Sequence, residues 1–222
     1  YGADALRFSL IMNSGQDLFI SKEKFEGGRN FANKIWNASR LVLLNTKPKN
    51  KNISHPPATD NLASQWIVSK FYLTLGEVSD AIENYRFSEA ENLVYDFFWK
   101  NYCDWYLEIS KNKFTDEKIQ QTACFILKES LRMMHPFMPF VTEELWQNIT
   151  ESNKPLSLEA WPATKKDAIN TVAVKHMDTL INIVSAIRNI RSQFNIKPQE
   201  TIACHFSAND TNGKNLLESN AE

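Results

Sequence analysis

Apolar residues recur three and four positions apart along most of this 222-residue chain, and that period confines it to packed helices. Phe31, Ile35, Ala38 and Val42 form one such set, inside a helix predicted from about 21 to 45 with Ser21 as its cap. Ile67, Phe71, Val78 and Ile82 form another, from about 60 to 85 with Asp60 as cap. Val94, Phe98, Tyr102, Trp105 and Ile109 make a third stripe on a helix opening near Ser88, which places Trp105 in the core. Leu127, Leu131 and Met134 follow on a helix from about 116, which ends before Pro136 because proline disfavours helix in the residue ahead of it. Pro139 restarts a short helix, and Ile183, Ile187, Ile190 and Phe194 mark a last long one from about 171 to 194.

Between these lie the breaks. A short helix over 3–11 ends in the turn-forming Asn13-Ser14-Gly15-Gln16-Asp17, and the stretch 46–60, with three prolines and three lysines, reads as an exposed loop. Residues 150–170 look irregular. Thr201 to Phe206 alternates weakly like a strand, followed by a turn-rich Asn209 to Gly213. A lone strand cannot bury one face, so the carboxyl end reads as the truncated start of a small α/β subdomain. The first residue is not Met, which suggests a segment of a longer protein.

At 43% apolar and 23% charged side chains the composition is that of an ordinary globular protein with a substantial core. No run approaches the roughly 18 apolar residues of a membrane helix, and the amino end lacks a basic region followed by an apolar one, so a soluble, cytoplasmic protein without a membrane partner is expected. Cys103, Cys124 and Cys204 are widely spaced and form no ligand pattern with His55, His135, His176 or His205, which argues against a zinc site or a disulfide framework. Net charge is only −1, but residues 1–60 carry nine basic and five acidic side chains whereas 61–160 carry nine and fifteen. A polyanion should therefore meet the first quarter of the chain.

That quarter holds the most informative segment. Asn30, Asn33, Asn37 and Arg40 are spaced 3, 4 and 3, forming one polar stripe beside the core stripe. Asparagine is a mediocre helix former, so a merely solvated face would normally be written with Lys, Glu or Gln. Its amide donates and accepts at once, which suits the edges of unpaired bases, while Arg29, Lys34 and Arg40 can meet phosphates. The alternative is a solvated or inter-helix polar face. Arg188 and Arg191, three apart, offer a second phosphate contact or else salt bridges. Asp104-Trp105-Tyr106 and Glu143-Glu144 read as packing and helix-end features rather than catalysis, and Gly27-Gly28 lacks the lysine spacing of a phosphate loop, so no catalytic or metal-binding residue is assigned.

These residues also carry a resemblance. Tyr1-Gly2-Ala3-Asp4-Ala5-Leu6-Arg7-Phe8 resembles the junction downstream of the catalytic lysine loop in class I aminoacyl-tRNA synthetases for valine, isoleucine and leucine. Gly15-Gln16-Asp17, the run from Arg29 to Arg40, Cys103 to Glu108 and Ile187 to Ser192 are similar to the valyl-tRNA synthetases in particular, and His135 to Phe140 with Thr142 to Trp146 is shared more widely. The resemblance implies a mainly α fold, a helical bundle of the class I anticodon-binding type over 21–165, preceded by a junction from a catalytic domain over 1–20 and followed by a long helix and the start of a C-terminal subdomain over 166–222. It implies tRNA(Val) and the catalytic domain of the same parent chain as partners. The parent would use ATP and magnesium to join valine to tRNA and would clear mischarged threonine in an editing domain. Neither the HIGH-type element nor the KMSKS-type loop occurs in this sequence, so the segment is expected to be catalytically silent and free of cofactors. In related synthetases an Asn and an Arg on the corresponding helix touch anticodon bases, which points to Asn37 and Arg40. The rival readings are the isoleucine or leucine enzyme and an all-helical protein-interaction module without RNA binding.

Overall fold

The computed structural model describes residues 1–11, 22–51, 53–150, 154–197, 199–207 and 211–219. The contacts divide the chain into two compact units, Tyr1–Asn170 and Thr171–Glu222. The first contains α1 (Ala3–Ile11), α2 (Lys22–Asn45), α3 (Leu62–Glu83), α4 (Phe87–Asp96), α5 (Glu117–Met134) and α6 (Pro139–Ile149); the second contains α7 (Thr171–Gln193) and α8 (Thr211–Ser219). The predicted turn at 13–17 and the cap at Ser21 lie outside the described residues.

In the first unit the expected stripes are the core. Phe31, Ile35 and Val42 are inaccessible to solvent, as are Ile67, Phe71 and Val78. Helix α2 approaches α1 closely at Gly28, where a Cβ would fall 2.5 Å from the Ala5 carbonyl oxygen, so only glycine allows this contact. Asp4 on α1 then reaches across to the start of α6: its carboxylate accepts from the Phe140 and Val141 amides at 3.2 and 2.7 Å. The capping group of α6 thus comes from another helix, since Met138 at its own cap position has no side-chain oxygen. Arg7 donates to the Pro136 carbonyl from the same face of α1.

Four expectations need correction. The cap of α3 is Asn61, whose Oδ1 accepts from the Ser64 amide at 2.9 Å, not Asp60 one residue earlier. The loop after α2 is not wholly exposed: Asn50 is buried, donating to Gln120 Oε1 at 2.8 Å and accepting from Gln121 Nε2, because its amide completes a polar network that α5 otherwise leaves open. No strand occurs among the described residues, and Thr201–Phe206 stays outside any ladder, since an extended segment becomes a strand only when a neighbour takes its hydrogen bonds. Beyond it α8 begins at Thr211, where the composition reads as a turn.

The fourth correction concerns the third stripe. After α4 the chain continues as a π-helix over Phe97–Leu107. Its wider turn lines up Val94, Phe98, Tyr102, Tyr106 and Ser110 as one buried row with Phe97, Cys103 and Leu107 buried beside it, where the expected α-helical stripe had Trp105 and Ile109. Tyr106 is fully buried beside the Ser64 hydroxyl at 3.3 Å, and Trp105 is only half-buried. Tyr102 donates to the Ala123 carbonyl at 2.7 Å, fixing the π-helix to α5.

Candidate nucleic-acid interface

On α2 the residues between the core positions turn outward. Asn30, Asn33, Asn37 and Arg40 are all exposed, so the spacing places them on one accessible face as expected. Their side chains make no hydrogen bond or ion pair within the protein among the described residues. That is unlike Asn45, Asn92 and Asn148 within helices and Asn84 at the end of α3, each of which donates to the carbonyl four residues earlier at 2.7 to 2.8 Å. The three amides of the stripe keep donor and acceptor available for a ligand.

Trp36 belongs with them. Its ring is 45% exposed, and it sits one residue past Ile35, off the core stripe and beside Asn33, Asn37 and Arg40. Sequence reading passed over it because an aromatic in a helical pattern reads as core. The signal was its phase: 36 falls outside the 31, 35, 38, 42 series. A flat, exposed indole among free amides is the stacking surface that unpaired bases use.

The two other cations assigned to this face are engaged with the protein. Arg29 lies over the Tyr1 ring, 5.6 Å from its centroid. Lys34 donates to Asp104 Oδ1 at 2.6 Å and sits 4.9 Å above the Trp99 ring. Neither contact was visible in sequence, since the partners are 28 to 70 positions away. Arg40 is left as the cation of the stripe without a partner.

Between α2 and the π-helix the surface opens into a crevice of about 190 Å³, walled by Lys34, Asn37 and Leu41 on one side and Cys103, Leu107 and Glu108 on the other. Burial pushes the Cys103 thiol up to about 12, so it is a neutral, unreactive lining group. Lys111 pairs with Glu108 at the rim. The wall thus combines an apolar floor with an amide, a carboxylate and two ammonium groups. A larger groove of about 710 Å³, lined by Leu10, Ile82, Phe87, Phe137 and Trp161 among others, is almost wholly apolar and offers nothing to a phosphate. No cluster of three or more metal-ligating side chains and no helix long and apolar enough to cross a membrane occurs among the described residues.

Arg188 and Arg191 lie on α7 of the second unit. Arg191 donates to the Lys197 and Glu200 carbonyls, the latter at 2.9 Å, and so closes the turn after α7 where Asn195 takes a left-handed conformation.

The anticodon-binding domain of tRNA ligases matches residues 64–205. The chain belongs to that family. Helix α2, ahead of the matched stretch, is covered by individual relatives of this anticodon-binding domain. The valine–tRNA ligases of Listeria monocytogenes and Lactobacillus acidophilus are each 39% identical over 99% and 100% of this chain and 26% of their own length. That of Aquifex aeolicus is 38% identical over 98% of the chain and 20% of its length, so the chain spans a fifth to a quarter of these relatives. Among solved structures, the LeuRS–tRNA–LeuAMS ternary complex of Agrobacterium radiobacter K84 superposes on 77% of the chain with a TM-score of 0.55 at 19% identity, which shows a shared helical fold.

Proposed function

We propose that this domain reads the anticodon of tRNA(Val) as part of a valine–tRNA ligase, and that it does so without catalytic residues or a cofactor of its own. The observation that carries the reading is the unpartnered stripe of α2: three free amides, a free guanidinium and an exposed indole in one line. Asn37, on the stripe and also in the crevice wall, is the base-reading residue, with Asn33 and Asn30 extending its reach along the helix. Trp36 stacks on an unpaired base, and Arg40 meets either a base edge or a phosphate. The run of valine–tRNA ligases at 38 to 39% identity supports valine rather than isoleucine or leucine. Binding of ATP and magnesium, and the joining of valine to tRNA, belong to the parent ligase, whose place is the cytoplasm. The catalytic domain of that ligase is the second partner. Arg188 and Arg191 are secondary phosphate contacts at most, Arg191 acting through the turn that it holds.

Titration of the chain with a valine-anticodon stem-loop and with base-swapped versions tests this. The matched loop should bind more tightly, affinity should fall steeply with salt, and Asn37→Ala should remove the preference while leaving thermal stability within about 0.5 kcal/mol of wild type. Equal affinity for all loops would refute anticodon reading.

A further inference from the structure

Lys34 lies in the middle of the base-reading face, four residues after Asn30 and three before Asn37, yet its ammonium is already engaged within the protein. It is held at 2.6 Å by Asp104 and at 4.9 Å by the face of Trp99. The indole beneath it is itself braced: Trp99 stacks on Tyr95 at 5.3 Å and on Phe31 at 6.3 Å, and Phe31 is a fully buried core residue of α2. The cation thus sits between a carboxylate and a ring that is itself held in an aromatic stack. Asp104 belongs to the π-helix, next to Cys103 and one turn before Glu108, both of which wall the crevice. The pair therefore ties α2 to the π-helix beside the crevice that they wall.

We infer that Lys34 and Asp104 are positioning residues, a clasp that sets the spacing between α2 and the π-helix and with it the crevice in which an unstacked base is read. The inference rests on the anticodon reading above. Two physical points set it apart from a phosphate-contact role. An ammonium matched by a carboxylate has no net charge to offer RNA, and if it swung out to a phosphate it would leave the Asp104 carboxylate facing the same polyanion. An ion pair this accessible, with side chains 31% and 46% exposed, contributes little to stability, so its value lies in geometry. A crevice wall built on a π-helix gains most from such a tie, because the wider turn packs its backbone less tightly than an α-helix does. A base-reading site must be held to within a fraction of an ångström to discriminate, and the clasp supplies that constraint.

The test is binding of matched and base-swapped stem-loops by the whole chain over a range of salt concentrations, for wild type, Lys34→Met, Asp104→Asn and Lys34→Arg, with melting curves recorded for each. Lys34→Met and Asp104→Asn should each cut the matched-to-swapped ratio by about fivefold or more without moving the salt slope, and Lys34→Arg, which can still pair with Asp104 and stack on Trp99, should restore the ratio. A salt slope reduced in Lys34→Met by about 0.7 to 0.9, the signature of one lost phosphate contact, would make Lys34 an RNA ligand and overturn the inference. So would an unchanged ratio in both Lys34→Met and Asp104→Asn. Asp104→Asn keeps the test open should Lys34→Met unfold. A wild-type chain that does not discriminate at all sinks the anticodon reading itself, an outcome separate from either of these.

Discussion

Helices α2 and α7 are nearly the same length, 24 and 23 residues, and each is marked by a set of four apolar residues at spacings of three and four, the α7 set closing on Phe194 one residue past the helix. On α2 that set is sealed: Phe31, Ile35 and Val42 have no accessible surface. On α7 the corresponding Ile183 and Ile187 are half-buried, Ile190 is 49% exposed and Phe194 73%. Periodicity names the face a helix can bury; whether anything covers it is decided by the rest of the molecule. The polar residues diverge in the same way. The cation at the end of the α2 stripe, Arg40, is free for a ligand, while Arg191 of α7 is occupied by two carbonyls of its own turn.

The difference is sharpest in core truncations. Phe31→Ala should cost roughly 3–5 kcal/mol, since it removes a fully buried ring from an aromatic cluster, while Ile190→Ala should stay within about 0.5 kcal/mol. All six tryptophans lie in 36–161, so tryptophan fluorescence during denaturation follows the first unit and far-UV dichroism follows both. Comparable losses from the two substitutions would mean that the α7 face is as well covered as that of α2.

Proton linkage gives a second, intermediate contrast. Glu91 on α4 is completely buried with both carboxylate oxygens unpaired among the described residues, and desolvation pushes it up from 4.5 to about 9. Folding therefore holds a proton that the unfolded chain releases near pH 4.5, so stability is fully present below that value and declines as pH rises towards 9. By pH 8 Glu91→Gln, which keeps the shape without the proton, should exceed wild type by several kcal/mol, about 1.4 for each pH unit above 4.5, with the two converging below that pH. Helix α7 buries no carboxylate, so its unit should lack this pH dependence. A flat pH profile for wild-type tryptophan fluorescence would show Glu91 to be satisfied or hydrated.

The smallest stability effects belong to the arginines, and they separate the two regions functionally. Arg40→Ala should change stability by less than about 0.5 kcal/mol yet weaken stem-loop binding and lower the salt slope. Arg191→Ala should loosen the chain at the end of α7, where it binds the Lys197 and Glu200 carbonyls, and leave stem-loop discrimination intact. Loss of discrimination in Arg191→Ala alone would move the interface to the second unit.

What could be read in sequence follows from what is local. The α2 core and the Asn30–Arg40 stripe are consequences of one helix's phase, and both are where the spacing puts them. Trp105 failed because a π-helix shifts phase without any mark in composition, and Tyr106 took its place. The pairing of Lys34 with Asp104 and Trp99 was not legible, because those partners are distant in sequence and only the packing of α2 on the π-helix brings them to it. The Thr201–Phe206 alternation failed for the converse reason: a strand needs a partner that no local pattern can supply.

The π-helix over Phe97–Leu107 also makes this segment unusual in how it should take changes of chain length. In an ordinary helix, removing one residue rotates everything beyond it by about 100° and throws one flank out of the core. Here the wider turn already carries slack, so a deletion within 97–107 could be absorbed by tightening to α-helical pitch. The buried flanks at Val94 and Ser110 would then keep their facing while the residues between them, those of the crevice wall included, change places. This segment can therefore lose a residue in the crevice wall without rebuilding the bundle around it.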